Sequence, residues 1–467
     1  VSVAGSQRSL SANARLGIGE LLARVKQLLF DRSDHSIARR VAATAFLIRV
    51  FGAGVVFLSH ILLANWMGSS EFGIYVYVWT WLVLVGGLAP LGIAYSAQRF
   101  IPEYTAGKNF DRLRGFLVGG RLLSFSLGLS AAIVGLAVLL ALRNRISDHY
   151  ELPGLLALAC LPLYTLAAAQ DGIARTYNWI NVAIVPAFVA QPLIVLAIVV
   201  VDHLLDLPVT AVVAMVATVT AIWTSVLMQA VILQRRLSSQ VAAGPRHYEF
   251  GRWFRTALPI FMVDGFYFLL TYIDILLLKF FVDPSQIGIY YAATKTLVLI
   301  TFIYYAVSAA FAHRFSEAHY AGQRERLEFF IREATRWTFW PSLAAAFLLL
   351  ALGKPILMLF GAEFTSGYPL LFVLVIGLLA RASIGPGERL LIMVGEQRVC
   401  AAIYATAFAT NFVLCLLLIP QFGLAGAAAS TATALVVEST LLFVMAKRRL
   451  GLHVFFWNGR SGRSAEV

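Results

Sequence analysis

Charged residues are scarce in this chain of 467 residues. They fill 13% of positions, about half the share of an ordinary soluble domain. That shortage excludes the roughly three soluble domains that the length alone would suggest. Cysteine is nearly absent as well: Cys160, Cys400 and Cys415 all fall inside apolar stretches, which suits small buried hydrophobes and excludes a disulfide framework. The sequence holds no phosphate-cradling glycine loop followed by lysine, no metal-ligand spacing and no nucleophile elbow. His313 and His319 flank a basic loop and read as solvated rather than metal-binding. Between apolar stretches the polar connections are short, so no external catalytic domain is expected, as a membrane glycosyl polymerase would need. Catalytic residues, metal and cofactor are therefore all read as none, and an enzyme is not expected. The first 40 residues are polar and basic, so no cleavable signal peptide is expected either.

What the chain has instead is apolar length. Hydrophobic residues make up 60% of it and the mean hydropathy is +0.80. A helix crosses the hydrocarbon core with about 20 apolar residues, and the sequence predicts twelve crossings, at 41–65, 75–98, 115–142, 154–174, 179–201, 209–234, 256–281, 287–313, 337–352, 368–394, 400–419 and 424–446. The expected fold is an all-α membrane bundle. Residues 16–30 place Arg24 and Lys26 among leucines and read as a helix lying on the membrane surface.

The distribution of Lys and Arg sets the orientation. With the N-terminal segment in the cytoplasm, Arg39, Arg40, Lys108, Arg112, Arg114, Arg235, Arg236, Arg324, Arg326 and Lys447 fall inside, and only Arg143, Arg145, Lys279 and Lys354 fall outside. The positive-inside rule then places both termini in the cytoplasm. The formal net charge of +13 reads as this orientation signal and as attraction to anionic membrane lipid, not as nucleic-acid binding.

The two halves resemble each other. Gly73-Ile74-Tyr75 recurs as Gly288-Ile289-Tyr290, Leu82-Val83-Leu84 as Leu297-Val298-Leu299, Arg99-Phe100 as Arg314-Phe315, and Ala106-Gly107 as Ala321-Gly322, all at one offset (288 minus 73 gives 215). Six helices per repeat is an even number, so both halves enter the membrane the same way. Parallel repeats are related by an axis along the membrane normal and enclose a cavity between them. The organisation read from this is a basic N-terminal segment (1–40), a first lobe (41–234), a linker (235–255), a second lobe (256–446) and a tail (447–467).

Ionisable residues inside a span are costly and mark cavities or partners. The basic ones are Arg49, Arg121, Lys295, Arg381 and Arg389, and the acidic ones read as well inside are Asp264, Asp274 and Glu388. Arg121 and Arg389 lie near enough to the cytoplasmic face to snorkel. Asp171 and Arg175, four apart, read as a local pair. Structural pairing of Arg49 with Asp264, or of Lys295 with Asp274, is one outcome. The other is that Arg49, Lys295 and Arg381 face a cavity as a surplus of positive charge that calls for an anion, and a phosphate-bearing headgroup would supply it. Gly385-Pro386-Gly387 breaks the span between Arg381 and Glu388.

Four stretches resemble a known family: LLANWMGSSEFGIY (62–75); Asp274-Ile275-Leu276-Leu277 followed by Ile287-Gly288-Ile289-Tyr290; PILMLFGAEFTSGYPLL (355–371); and NFVLCLLLIPQFGLAGAA (411–428). They are similar to the Wzx-like oligosaccharide flippases of the multidrug/oligosaccharidyl-lipid/polysaccharide exporter superfamily. The resemblance implies two six-helix lobes, alternating access and movement of an isoprenoid-pyrophosphate-linked oligosaccharide from the inner to the outer leaflet of the bacterial cytoplasmic membrane. It also implies a cation-lined cavity, and a polysaccharide polymerase and co-polymerase as partners. In that setting Arg49, Lys295 and Arg381 would hold the pyrophosphate, Trp79, Trp81, Tyr267 and Tyr291 would stack on sugars, and Asp264, Asp274 and Glu388 would couple transport to an ion. A multidrug or cation antiporter of the same superfamily, and a non-transporting scaffold subunit of a glycan-assembly complex, are the alternatives.

Overall fold

The computed structural model describes residues 34–145 and 147–457, with backbone alone at 34–46, 145, 260 and 299. The surface helix expected at 16–30 lies outside the described residues. In chain order the helices are α1 (Asp34–Leu88), α2 (Ile93–Ala106), α3 (Phe110–Ala141), α4 (Asp148–Thr176), α5 (Ile180–Val185), α6 (Gln191–Leu204), α7 (Ala211–Gln240), α8 (Phe250–Leu278), α9 (Pro284–Tyr320), α10 (Arg324–Phe360), α11 (Tyr368–Ser383), α12 (Gly387–Met393), α13 (Gln397–Phe422) and α14 (Leu424–Leu450). Among the described residues there is no strand. Lipid offers no partner to backbone groups, so a chain this apolar closes its hydrogen bonds within helices.

Among the described residues ten helical stretches are long and apolar enough to cross a membrane, eleven when the two halves of α9, bent by 40°, are taken as one. The first stretch, Leu47–Ala106, is 60 residues long, about 90 Å at 1.5 Å per residue, and holds two crossings. They separate at Gly68, whose φ of 73° and ψ of 168° leave the helical region. Cut there, the spans number twelve. α5 and α6 form one span through a π-turn at Pro186–Ala190, and α11 and α12 form another through the break at Gly385. Pro186 cannot donate to the carbonyl four residues back, and Gln229 Nε2 supplies that bond to Val182 at 2.8 Å.

Several helices run further than the hydropathy reading, α10 most of all. It begins at Arg324, not near 337: its first turns bury Leu327 and Ile331 in the second lobe's core, while the charged residues between them break the hydropathy signal. It also runs on to Phe360, so the connection to α11 shrinks to a 3-10 turn at Ala362–Gly367.

Backbone hydrogen bonds repeat between the halves. After α2, Gly107, Lys108 and Asn109 donate to Glu103, Thr105 and Tyr104; after α9, Ala321, Gly322 and Gln323 donate to Glu317, His319 and Ala318. After α4, Tyr177, Asn178 and Trp179 donate to Ile173, Arg175 and Ala174; after α12, Val394, Gly395 and Glu396 donate to Leu390, Ile392 and Leu391. Side chains repeat too. The Tyr75 hydroxyl lies 3.4 Å from Thr218 Oγ1, and the Tyr290 hydroxyl lies 3.3 Å from Thr431 Oγ1. The two six-helix lobes are thus copies of one unit.

The apolar core shows how the lobes meet. Away from the basic end, one cluster draws on both lobes and includes Leu63, Phe72, Val76, Tyr291, Phe360 and Phe364. Rings from the first lobe (Phe57, His60, Phe72) interleave there with rings from the second (Tyr291, Phe360, Phe364) at centroid distances of 5.5 to 6.0 Å for the pairs that cross. Toward the basic end the core splits into one cluster per lobe. Trp253 and Ala257, in the first turns of α8, pack within the first lobe's cluster, while Val263 and Leu270 pack in the second lobe's. The lobes are therefore sealed at one end and divided at the other.

Candidate substrate cavity between the lobes

The repeat places opposite charges at matched positions. Arg49 on α1 and Asp264 on α8 are 215 residues apart (264 minus 49), the offset of the glycine repeat. Through the matched turns after α4 and α12, Asp171 corresponds to Glu388 (388 minus 171 and 392 minus 175 both give 217). Each lobe therefore presents one charge from its first helix and one carboxylate from its fourth.

Local packing fixes these helices. Gly52 lets α1 press on the π-turn: a Cβ there would lie 2.4 Å from the Phe188 carbonyl oxygen. Arg49, one turn earlier, is exposed. The charged and phenolic groups in its electrostatic reach are Arg175, Asp171, Tyr305 and Arg389, two from each lobe. Asp264 faces Glu388, Arg389 and, across the lobes, the hydroxyl of Tyr95. Arg175 Nε donates to Asp171 at 2.8 Å, the local pair that the spacing predicts. Tyr267 and Tyr305 touch through their hydroxyls at 3.2 Å.

Arg381 is held inside the second lobe rather than left open. It lies 3.5 Å from Glu388 and 3.5 Å from Glu438, and its guanidinium sits over the rings of Tyr304 and Tyr267 at 5.0 and 5.5 Å. Glu438 on α14 is fully buried, and sequence reasoning missed it. Including it with Asp171 and Arg175, the intramembrane groups become six basic (Arg49, Arg121, Arg175, Lys295, Arg381, Arg389) and five acidic (Asp171, Asp264, Asp274, Glu388, Glu438). The positive surplus expected from the sequence narrows to one, and the imbalance is mainly local. Among the described residues no carboxylate lies within 4 Å of the cationic nitrogens of Arg49, Arg389 or Lys295. Arg121 bonds the Leu117 carbonyl of its own helix and Gln234, away from this group.

Lys295 rests on aromatic rings, with Nζ 4.7 Å from the centroid of Tyr291 and 5.9 Å from that of Tyr272. Its depth places it under the seal between the lobes, beside His60. Asp274 is not its ion-pair partner. Tyr290 and Thr431 donate to Asp274 Oδ2 at 2.6 and 3.0 Å, and the amide of Ile275 donates to Oδ1 at 2.8 Å, so this carboxylate is internal to the second lobe.

Of the aromatic residues expected to contact sugars, Tyr267 borders Arg381 and Tyr305. Tyr291 is 1% exposed and forms part of the seal with His60 and Phe72, so it presents no free face in this conformation. Trp79 packs against the shared core, and Trp81, two residues on, is exposed on the far side of the helix. Among the described residues no group of His, Cys, Asp and Glu is arranged to hold a metal.

The description "polysaccharide biosynthesis protein" fits a family model over residues 39–319, from the start of the first span through the end of α9 and thus more than half of the chain. The chain belongs to this family. The family reading and the two-lobe helical fold support each other. Solved structures share that fold at low sequence identity. An inward-facing multidrug resistance MATE family transporter of the MOP superfamily superposes with a TM-score of 0.70 at 13% identity, covering 87% of this chain and 98% of that one. The lipid II flippase MurJ in an inward closed conformation gives 0.68 at 14% identity, covering 87% of each. A MOP superfamily transporter from Pyrococcus furiosus, whose binding pocket is described as of reverse polarity, gives 0.65 at 15%, covering 91% and 97%. Comparison with curated proteins returns no match. The chain is a multi-pass membrane protein of this polysaccharide family, with the fold of MOP superfamily transporters.

Proposed function

We propose that the protein is a flippase for isoprenoid-pyrophosphate-linked oligosaccharide units, carrying them from the inner to the outer leaflet for surface or exopolysaccharide synthesis. The observation that carries this reading is the set of intramembrane cations with no ion-pair partner among the described residues: Arg49 and Arg389 where the lobes part toward the basic end, and Lys295 beneath the seal. A cation within a membrane span that has no counter-ion is costly, and a visiting anion offsets that cost. A diphosphate matches the bidentate geometry of two arginines. The basic end is then the cytoplasmic face of the bacterial inner membrane, with both termini on that side. The two lobes, 41–234 and 256–446, move as units by alternating access, without chemistry on the cargo. Arg381 has its own carboxylates, so its part is to hold the second lobe's charge cluster until the lobes rearrange. Asp264 and Glu388, facing the same space, are the groups through which an ion would couple to the cycle. A polymerase and co-polymerase would take up the product.

A carboxylate from each of Asp264 and Glu388 in that space also favours a second reading, a cation antiporter of the same superfamily. The two readings separate on substitution of Arg49 and Arg389 by Gln. Flipping of a diphosphate-linked lipid requires the cations, whereas cation export would persist or improve. Accumulation of lipid-linked oligosaccharide in the inner leaflet of a deletion strain, relieved by the wild type and not by the double variant, supports the flippase.

A further inference from the structure

The segment after α14 turns back beneath the second lobe. Gly451, at φ 66°, ends the helix, and its carbonyl accepts from Arg324 Nη2 at 3.1 Å. Leu452 and Val454 are then 3% and 2% exposed, buried in the second lobe's basic-end core. Phe456 stacks on Phe339 at 3.8 Å between centroids, and its amide donates to the Ser383 carbonyl at 3.0 Å. Ser383 is the last residue of α11, where carbonyls lack helical partners. Val454 meets Gly387 on the other side of the break: a Cβ at that glycine would lie 3.6 Å from Val454 Cγ1. The two contacts bracket Gly385-Pro386-Gly387, the hinge between the helix that carries Arg381 and the one that carries Glu388 in its first turn.

We propose that residues 452–456 are a positioning strap, which sets the angle between α11 and α12 and so holds Glu388 within reach of Arg381. A hinge with a glycine at φ 56° and no side chain of its own on either side of the proline has many orientations available. The strap selects one, by a backbone bond on the α11 side and an apolar contact on the α12 side. The first lobe carries a matching arrangement, since Arg114 donates to the carbonyls of Ala242 and Pro245 in the segment after α7. In that lobe the ion pairs beside the segment, Arg114 with Asp111 and both Arg112 and Arg252 with Glu249, stand at helix starts rather than across a break within a span.

Cys400 is a native reporter of the hinge, with its Sγ 4.0 Å from the Glu388 carbonyl, whereas Cys415 lies elsewhere in the same lobe beside Asn411. Both are buried. In a Cys160→Ser background, maleimide labelling is followed at Cys400 and Cys415 in the full chain. Phe456→Ala with Val454→Ala is expected to raise the Cys400 rate about tenfold with Cys415 unchanged, the signature of local opening. No change at Cys400, or an equal rise at both sites, overturns the strap, and Val454→Ala alone provides the reading if the double variant does not fold. This arm involves no cargo, so its failure leaves the flippase reading intact. The transport arm rests on that reading. There the strap variant and Glu388→Gln lose activity non-additively if the strap acts through Glu388, and additive losses overturn it.

Discussion

Gly73 and Gly288, equivalent residues of the two repeats, touch each other backbone to backbone. A Cβ on Gly288 would lie 3.2 Å from the Gly73 nitrogen and 3.4 Å from its Cα, and one on Gly73 would lie 3.1 Å from the Gly288 nitrogen. Repeat-related residues meet only on the axis that relates the repeats. The pseudo-twofold axis therefore passes through the sealed end, and the lobes cross there at a separation only glycine permits.

The first prediction concerns this crossing. A Cβ at position 73 would also lie 1.7 Å from the Pro284 carbonyl oxygen, a backbone atom with little freedom to yield. Gly73→Ala is expected to loosen the seal and abolish export while the protein still inserts and purifies. Thiol labelling from outside, at a cysteine introduced in place of His60, is expected to rise several-fold, as a local opening requires. Labelling no faster than in the parent would show that the crossing does not hold the seal.

Glu363 latches the same end. It follows α10, and its Oε1 accepts from the amide of Ser69 at 2.6 Å across the lobes, capping the helix that restarts after Gly68. Loss of a cap costs about 1 kcal/mol, roughly a fivefold shift in an equilibrium. Glu363→Ala is expected to favour separation of the sealed end by that factor, and Glu363→Gln, which keeps an acceptor, to change little. The same labelling assay reads both.

Arg381 neutralises two carboxylates in a buried setting. Arg381→Met is expected to lower stability by about 3–5 kcal/mol, because Glu388 and Glu438 are left without a counter-charge. Adding Glu438→Met is expected to recover a large part of the loss in a thermal unfolding series in detergent. Simple additivity of the two changes would dissolve the cluster as a unit.

A pH dependence follows at the basic end, outside the membrane. Burial alone would raise the Glu249 carboxyl. The hydrogen bonds from Tyr104 and Arg252 and the charges of Arg112 and Arg252 outweigh it, so the group sits below its ordinary value of 4.5. A carboxylate with a depressed folded-state value stabilises above the unfolded value and loses that contribution as pH falls through the folded one. Hydrogen exchange over residues 242–253 is therefore expected to stay constant from pH 8 to about 5 once corrected for intrinsic rates, and to quicken only below the ordinary carboxyl range. Glu249→Gln is expected to quicken it at pH 7.

The spans and the repeat were legible in the sequence because lipid imposes a strong rule on apolar length, and because Gly73-Ile74-Tyr75 and its copy sit where the lobes touch and tolerate little drift. Helix ends were less legible, since the first turns of α10 mix charged residues with the buried Leu327 and Ile331 and carry no continuous hydropathy signal. The match of Asp171 with Glu388 was hidden by two extra residues, which move the offset from 215 to 217. Glu438 escaped notice among alanines and threonines, and its partner Arg381 is distant in sequence. The sequence offers Tyr291 as a sugar contact, whereas its ring packs in the seal against His60 and Phe72. Periodicity places a residue on a face of its helix but does not say which neighbour covers that face.

In the proposed function Arg49 and Arg389, cations between the lobes with no ion pair among the described residues, serve a diphosphate. The most direct measurement reconstitutes the protein in liposomes with a fluorescent isoprenoid-diphosphate oligosaccharide and follows its transfer between leaflets. The wild type is expected to move the lipid well above protein-free vesicles, and the Arg49→Gln, Arg389→Gln protein to fall back to that background while remaining folded. Equal transfer by the wild type and the double variant would contradict this role.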